Sequence, residues 1–317
     1  MGIRLPWRRR VLIHEVTARC NLDCLHCYNV WKGRAPYPSG ELEPAEAAAL
    51  LARVVRESRA GNVGFTGGEP LLRDDLEDLV AAARREGASA TLITNGTLLD
   101  AARARSLLDA GVSLFEIAVN SPRRELHDAL ARRPAFDRAV DAISFVRAAG
   151  GRVVLAVVVS RRNVAEIEEL MTLAAGMGVD AVMLNRFNPG GEGMRHLVDL
   201  LPSGEDLAAA FAAAERVARR FSLPVASSVP VPRELLRTRP YRRIRFGACP
   251  LGTWRAYYTI DPLGNLRSCN HSPRILGSLR DRSFAELATV ERPPDAARGH
   301  CPAAAEACGG KDPSLLR

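Results

Sequence analysis

The sequence is almost without lysine. Only Lys32 and Lys311 occur among 317 residues, so the formal net charge of +8 is carried by arginine. Aromatic residues are scarce, at 5% of the chain. Proteins that bind single-stranded nucleic acid stack bases on aromatic rings within a basic groove. Scattered arginines with few rings do not fit that pattern, and no nucleic-acid partner is expected. No apolar run approaches the roughly 18 residues that a membrane-spanning helix needs, so no membrane partner is expected. The arginine-rich start, Met1 to Arg10, is not followed by the apolar stretch and small-residue cleavage site of a secretory signal. Pro6 stands where a myristoylation motif needs Ser or Thr. A cytoplasmic protein is the expectation. Cysteine, finally, is missing from all of 28–248.

The seven cysteines fall on either side of that gap: Cys20, Cys24 and Cys27, then Cys249, Cys269, Cys301 and Cys308. In a reducing compartment they are not expected to be structural disulfides. Hydrophobic residues at 47% and charged residues at 25% are globular values. The length suits a main domain with a smaller appendage.

Short apolar runs alternate with helical patterns from residue 11 to about residue 190. Strands are predicted at 11–16, 63–66, 90–94, 114–119, 153–159 and 181–184. Helices are predicted at 44–59, 74–86, 100–110, 136–149 and 164–177. Glycines 87, 111, 150 and 178 provide the stops expected after helices. The run VVLAVVV at 153–159 has no polar alternation, as in a strand covered on both faces. This βα alternation predicts a parallel sheet with right-handed crossovers. Polar groups mark the strand ends: Thr66-Gly67-Gly68-Glu69, Thr94-Asn95-Gly96, Asn120-Ser121, Ser160-Arg161 and Asn185-Arg186. In barrel-like α/β folds the active site forms at those ends. An alanine-rich amphipathic helix at 202–222 and a proline-rich connector follow. A glycine turn at Pro262-Leu263-Gly264 reads as a hairpin.

The segment Cys20-Asn21-Leu22-Asp23-Cys24-Leu25-His26-Cys27-Tyr28 directly follows the first strand. Three thiolates on one tight loop can hold three irons of a four-iron cluster and leave the fourth open. The competing reading is a structural zinc site formed with His26, although structural zinc usually draws two separated ligand pairs. CxxxCxxC followed by an aromatic, with Gly67-Gly68-Glu69-Pro70 after the second strand, resembles the radical S-adenosylmethionine (SAM) superfamily. So do Val159-Ser160-Arg161-Arg162-Asn163 and the Asn188-Pro189-Gly190-Gly191 turn. The resemblance implies a partial (β/α)6 TIM-like barrel. It implies a SAM-binding [4Fe-4S] cluster on Cys20, Cys24 and Cys27. SAM would be held by Tyr28, Gly67, Gly68, Glu69, Asn95, Asn120 and Ser160, with the GGEP segment on its amino group and Ser160 on its ribose.

The segment from Cys249 through Asp261-Pro262-Leu263-Gly264-Asn265 to Cys269, with Cys308-Gly309-Gly310, resembles the auxiliary-cluster extensions called SPASM or twitch. Four cysteines match the shorter, one-cluster version. This implies 1–200 as the barrel, 201–243 as helix and connector, and 244–317 as a small iron–sulfur domain holding an auxiliary [4Fe-4S] cluster. Two ligand assignments stay open: all four cysteines, or Cys269, Cys301 and Cys308 with Cys249 as an active-site thiol. In the second, His271, His300 or Asp261 is the nearest substitute ligand. The layout also resembles radical SAM sugar epimerases of antibiotic pathways, of the aminoglycoside type. That resemblance implies a small-molecule sugar substrate, hydrogen abstraction by a SAM-derived radical, and hydrogen return from Cys249. An electron donor such as flavodoxin or ferredoxin is implied as well. The alternatives are a radical SAM sugar dehydrogenase and a ribosomal-peptide-modifying enzyme. The nineteen residues before Cys20 leave no room for a leader-binding domain, which counts against the peptide reading. A cationic aminoglycoside would call for carboxylates such as Glu116, Glu192 or Asp199, and the +8 charge does not favour it.

Overall fold

A computed structural model describes residues 10–33, 36–251, 253 and 256–289. Eleven strands form one sheet: β1 (Arg10–Thr17), β2 (Ala60–Gly67), β3 (Ser89–Thr94), β4 (Val112–Ala118), β5 (Val153–Val159), β6 (Ala181–Arg186), β7 (Val225–Ser227), β8 (Ile244–Phe246), β9 (Tyr258–Ile260), β10 (Asn265–Arg267) and β11 (Ile275–Ser278). The helices are α1 (Pro44–Ser58), α2 (Leu76–Arg85), α3 (Ala101–Ala110), α4 (Arg124–Ala131), α5 (Phe136–Ala148), α6 (Ile167–Gly176), α7 (Leu197–Leu200), α8 (Gly204–Phe221) and α9 (Phe284–Leu287). The strand order is β11-β10-β9-β1-β2-β3-β4-β5-β6-β7-β8, and β1 to β8 run parallel. This is the α/β architecture of a TIM-like partial barrel, with the sheet left open.

The local causes are ordinary. α1 starts on Pro44, whose missing N–H costs nothing at a first helical position. α3 ends at Gly111, whose φ of 111° is open to glycine. A capping box, Ser203 with Asp206, starts α8. Outward residues of β1 to β6, among them Leu12, Val63, Leu92, Phe115, Leu155 and Leu184, are fully buried in the main core.

Two findings depart from the sequence pattern. β5 is not covered on both faces. Val154, Ala156 and Val158 are half-buried while their neighbours are buried, because the inner face of the sheet borders a lumen. Two more parallel strands, β7 and β8, follow the six that periodicity predicts. They are three residues each and set among prolines, so they carry no periodic signal.

The C-terminal strands join the same sheet. β9 pairs parallel with β1 (Leu12 with Tyr258, His14 with Ile260), and β10 and β11 continue antiparallel. An ion pair with essentially no solvent exposure, Glu15 of β1 with Arg267 of β10, crosses this seam. Arg267 also donates to the Ser272 carbonyl at 2.8 Å. A charge buried this deeply survives only with its partner in place.

Candidate active site at the strand ends

The three-cysteine loop leaves β1 at its carboxyl end. Its leucines anchor it: Leu22 packs on Ala131 and Ala135, and Leu25 on Leu130 and Phe187. The Leu25 amide donates to the Leu130 carbonyl at 2.9 Å, and that of Asp23 to the Ala131 carbonyl at 3.3 Å. The end of α4, a helix the sequence pattern does not announce, is therefore the loop's floor. All three cysteines are half-buried. Burial pushes their thiols up, that of Cys24 to about 12; Cys27 and Cys20 add to this at Cys24, Cys20 adds to it at Cys27, and Glu69 adds to it at Cys20. Lys32 opposes this at all three. Its ammonium is held 3.2 Å from Asp23 Oδ1 and 3.4 Å from the Leu22 carbonyl. Thiols that resist ionisation alone are stable as thiolates only against bound metal. Among the described residues no three His, Cys, Asp or Glu side chains are grouped to hold a metal ion. The single-ion zinc reading therefore finds no support. A cluster takes each thiolate on a different iron and tolerates wider spacing.

Gly67 and Gly68 are fixed by close approach. Gly67 has a φ of 135°, and a Cβ at Gly68 would stand 2.0 Å from the Arg19 carbonyl oxygen. The Gly68 and Glu69 amides donate to the carbonyls of Thr17 and Arg19 at 2.7 and 2.8 Å, and Asn29 Nδ2 donates to the Gly67 carbonyl at 2.8 Å. Glu69 is wholly buried. It accepts from Thr94 Oγ1 (2.6 Å), the Asn95 amide (2.9 Å) and the Leu71 amide (3.1 Å). Desolvation outweighs these bonds and lifts its carboxyl to about 7. The carboxylate expected on a ligand's amino group is thus engaged with the end of β3.

Asn95 binds the loop: its Nδ2 donates to Asn21 Oδ1 at 3.0 Å, and Asn21 in turn donates to Thr97 Oγ1 at 2.7 Å. Asn120 accepts from the Val158 amide at 2.8 Å and lies 3.4 Å from His26 Nε2. The Ser160 hydroxyl, 2% exposed, donates to Asn163 Oδ1 at 3.1 Å. The structure brings these residues to adjacent strand ends, with their side chains bonded to protein. Of the carboxylates named for a cationic sugar, Glu192 pairs with Arg132, Arg195 and His196, and only Glu116 lies in the lumen.

Tyr28 carries the link to the second cysteine group. Its hydroxyl accepts from Asn270 Nδ2 at 3.0 Å, and its ring stacks on His271 with centroids 4.1 Å apart. Cys269 is the next residue back. Its sulfur accepts from the His271 amide at 3.4 Å and lies 3.8 Å from the Tyr257 hydroxyl. Burial, then Arg186 and Arg267, lower the His271 pKa to about 3. Asp261 is tied to Tyr37, Leu263 and Asn265. Cys249 is half-buried just beyond β8. Cys301, Cys308 and His300 lie outside the described residues.

The inner face of the sheet carries Ile13, Ile93, Leu114, Val154, Ala156 and Met183 half-buried on it, with a polar cluster of Asn62, Ser89 and Thr91 on β2 and β3. Glu116 stands among them on β4. It makes no hydrogen bond or ion pair among the described residues, and desolvation alone raises its carboxyl to about 7. The sequence gives little sign of these contacts. Lys32 is the one exception, as the sole lysine of the barrel, five residues past Cys27.

Comparison with known proteins agrees with the site. The family model described as the radical SAM superfamily matches residues 14–174. The PqqA peptide cyclase of Gluconobacter oxydans is 31% identical over 277 residues, 86% of this chain and 73% of that protein. The AdoMet-dependent heme synthase of Oleidesulfovibrio alaskensis is 35% identical over 175 residues, 54% of this chain and only 44% of that protein. Among solved structures, Streptococcus suis SuiB bound to S-adenosylmethionine superposes with a TM-score of 0.70, at 16% identity, over 92% of this chain and 68% of that one. The structure of anSMEcpe with bound AdoMet gives 0.68 at 16% identity, over 88% and 76%. The chain belongs to the radical SAM superfamily. It is accordingly an enzyme that uses SAM and a [4Fe-4S] cluster. The aminoglycoside-epimerase resemblance finds no support among these relatives, which are a cyclase and a heme synthase. Among the described residues no helix is long and apolar enough to cross a membrane.

Proposed function

We propose that the protein modifies a peptide, removing a hydrogen atom from one of its residues. The observation that carries this reading is the match to the peptide cyclase, which runs over 86% of the chain. The lumen supports it. A polyhydroxylated sugar needs many polar partners, whereas the walls from β4 to β6 are largely apolar around Glu116, which has no partner among the described residues, and the polar groups Asn62, Ser89 and Thr91 are bonded to one another, a lining suited to a peptide side chain. This replaces the sugar-epimerase and sugar-dehydrogenase expectations.

Cys20, Cys24 and Cys27 would hold the SAM-binding cluster. The backbone of Gly67–Glu69 and the loop after Asn95 would border SAM, with Tyr28, Asn120 and Ser160 shaping the cavity from behind. Bound together, cluster and SAM supply one-electron chemistry that makes a carbon radical. The chain's own part is to fix the loop, keep water from the lumen and hold the peptide. Without a sugar to invert, a hydrogen-donor role for Cys249 loses its reason. Cys249, Cys269, Cys301 and Cys308 are then ligands of an auxiliary [4Fe-4S] cluster, and a flavodoxin- or ferredoxin-type donor supplies electrons.

The test incubates anaerobically reconstituted enzyme, SAM and dithionite with deuterated short peptides encoded beside the gene, and separately with deuterated aminosugars. Deuterium should reach 5′-deoxyadenosine from a peptide. Transfer from an aminosugar alone refutes the reading. Cys249→Ala should lower iron by about one cluster's worth; unchanged iron with lost turnover would return Cys249 to the donor role.

A further inference from the structure

The positive charge of this protein is not spread evenly. Between residues 233 and 245 stand six arginines, Arg233, Arg237, Arg239, Arg242, Arg243 and Arg245, against one acid, Glu234. That strip supplies five of the eight net positive charges of the chain. All six arginines are exposed. Several surface arginines elsewhere meet carboxylates, as Arg56 meets Glu86, Arg103 meets Glu77, Arg147 meets Asp180 and Arg216 meets Glu168, and those that do not, such as Arg59 and Arg105, are not gathered in so short a run. Arg233, Arg237, Arg239, Arg242 and Arg243 make no side-chain ion pair among the described residues.

The strip ends in β8, the last strand of the sheet, which pairs only with β7 among the described residues. Ile244 turns into the core while Arg243 and Arg245 face out. An unpaired strand edge is a template for an added strand. Because β8 runs parallel to β1, its carboxyl end points to the same end of the sheet as the cysteine loop. The chain's own tail is a poor counter-charge: residues 290–317 carry four acids and four lysines or arginines.

We infer that the β8 edge and its arginines form a docking strip for an acidic, extended segment of the peptide substrate, bound as an added strand and directed toward the cysteine loop. This rests on the peptide reading above. Charge would draw the segment in, and backbone pairing would set its direction.

The probes are fluorescein-labelled 16-residue peptides of alternating Glu and Thr, the Lys–Thr counterpart, and a Glu–Thr peptide N-methylated at alternate residues. Anisotropy is read on the full chain with its clusters, and on the variant R239E/R242E/R243E. The acidic peptide should bind, weaken at least tenfold in the variant and weaken further with salt. The Lys–Thr peptide should not bind, and the N-methylated one should bind at least tenfold more weakly than its parent. SAM cleavage without peptide should be unchanged in the variant. Equal affinity for wild type and variant overturns the inference. So does undiminished binding of the N-methylated peptide, or charge-dependent binding of an acidic flavodoxin or single-stranded DNA in place of the peptide. If the strip binds the acidic peptide yet no peptide is ever turned over, docking stands and the substrate class falls. If peptides are turned over equally by the variant, the substrate class stands and the docking falls.

Discussion

Replacing Glu116 by Gln should stabilise the protein at alkaline pH while impairing catalysis. Among the described residues Glu116 has no hydrogen-bond or ion-pair partner on the lumen face of β4, and burial lifts its carboxyl from 4.5 to about 7. The folded state therefore holds a proton that the unfolded chain releases near pH 4.5. Stability from this group is full below the unfolded value and is lost as pH rises through the folded one. Each pKa unit is worth about 1.4 kcal/mol, so the wild type forfeits about 3 kcal/mol across the window, and Gln forfeits nothing. Urea unfolding of the metal-free, reduced protein at about pH 5 and about pH 8.5 reads the difference. The gap should move in the variant's favour by about 2–3 kcal/mol as pH rises. A gap that stays constant, or moves toward the wild type, would mean that the carboxylate is solvated or paired, and the lumen argument would fail with it. A carboxylate kept at such a cost is expected to serve the substrate, so E116Q should also lower peptide turnover while SAM cleavage without substrate persists.

Three other outcomes follow from the site. Arg267→Met leaves Glu15 buried without its counter-ion and should cost about 3–5 kcal/mol in denaturant unfolding, most of it recovered when Glu15→Leu is added. Lys32→Gln removes the cation that acts on all three thiols; the loop cluster should become about tenfold harder to reduce, or about 59 mV for one electron, in an EPR-monitored redox titration, with Lys32→Arg near wild type. Gly68→Ala puts a methyl group 2.0 Å from the Arg19 carbonyl oxygen. Iron per chain should fall while the far-ultraviolet circular dichroism stays unchanged.

Strands β1 to β6 are legible because their outer faces must be apolar to meet helices, and the cysteine loop is legible because its chemistry fixes its spacing. The pairing of Glu15 with Arg267, 252 residues apart, leaves no local trace. β7 and β8 are too short for a period, and α4 follows a polar strand end that reads as loop. VVLAVVV misleads for a physical reason: an apolar strand that lines a lumen and one that lies between two helix layers have the same composition. The net charge misleads similarly, since a total says nothing of where the arginines gather.

The strand-end polar residues carry a different meaning in the structure from the one their positions suggest. Glu69 is engaged with Thr94 and Asn95, Asn95 with Asn21, Asn120 with the Val158 amide, Ser160 with Asn163, and Asn185 with the Ser228 and Val229 amides. All but Ser160 join one strand end to a neighbour or to the cysteine loop, and Ser160 holds Asn163, whose Nδ2 donates to the Asn120 carbonyl at 2.7 Å. A loop that must keep three sulfurs in register needs such bracing, because displacements of about 1 Å are costly in a catalytic site. The same bonds leave those side chains little capacity to discriminate among substrates. Discrimination is then expected of groups deeper in the barrel, and Glu116, without a partner among the described residues, is such a group. Superfamily membership is thus written at the strand ends, and the proposed choice of substrate is to be sought on the inner faces of β4 to β6, where E116Q should change peptide turnover without changing SAM cleavage.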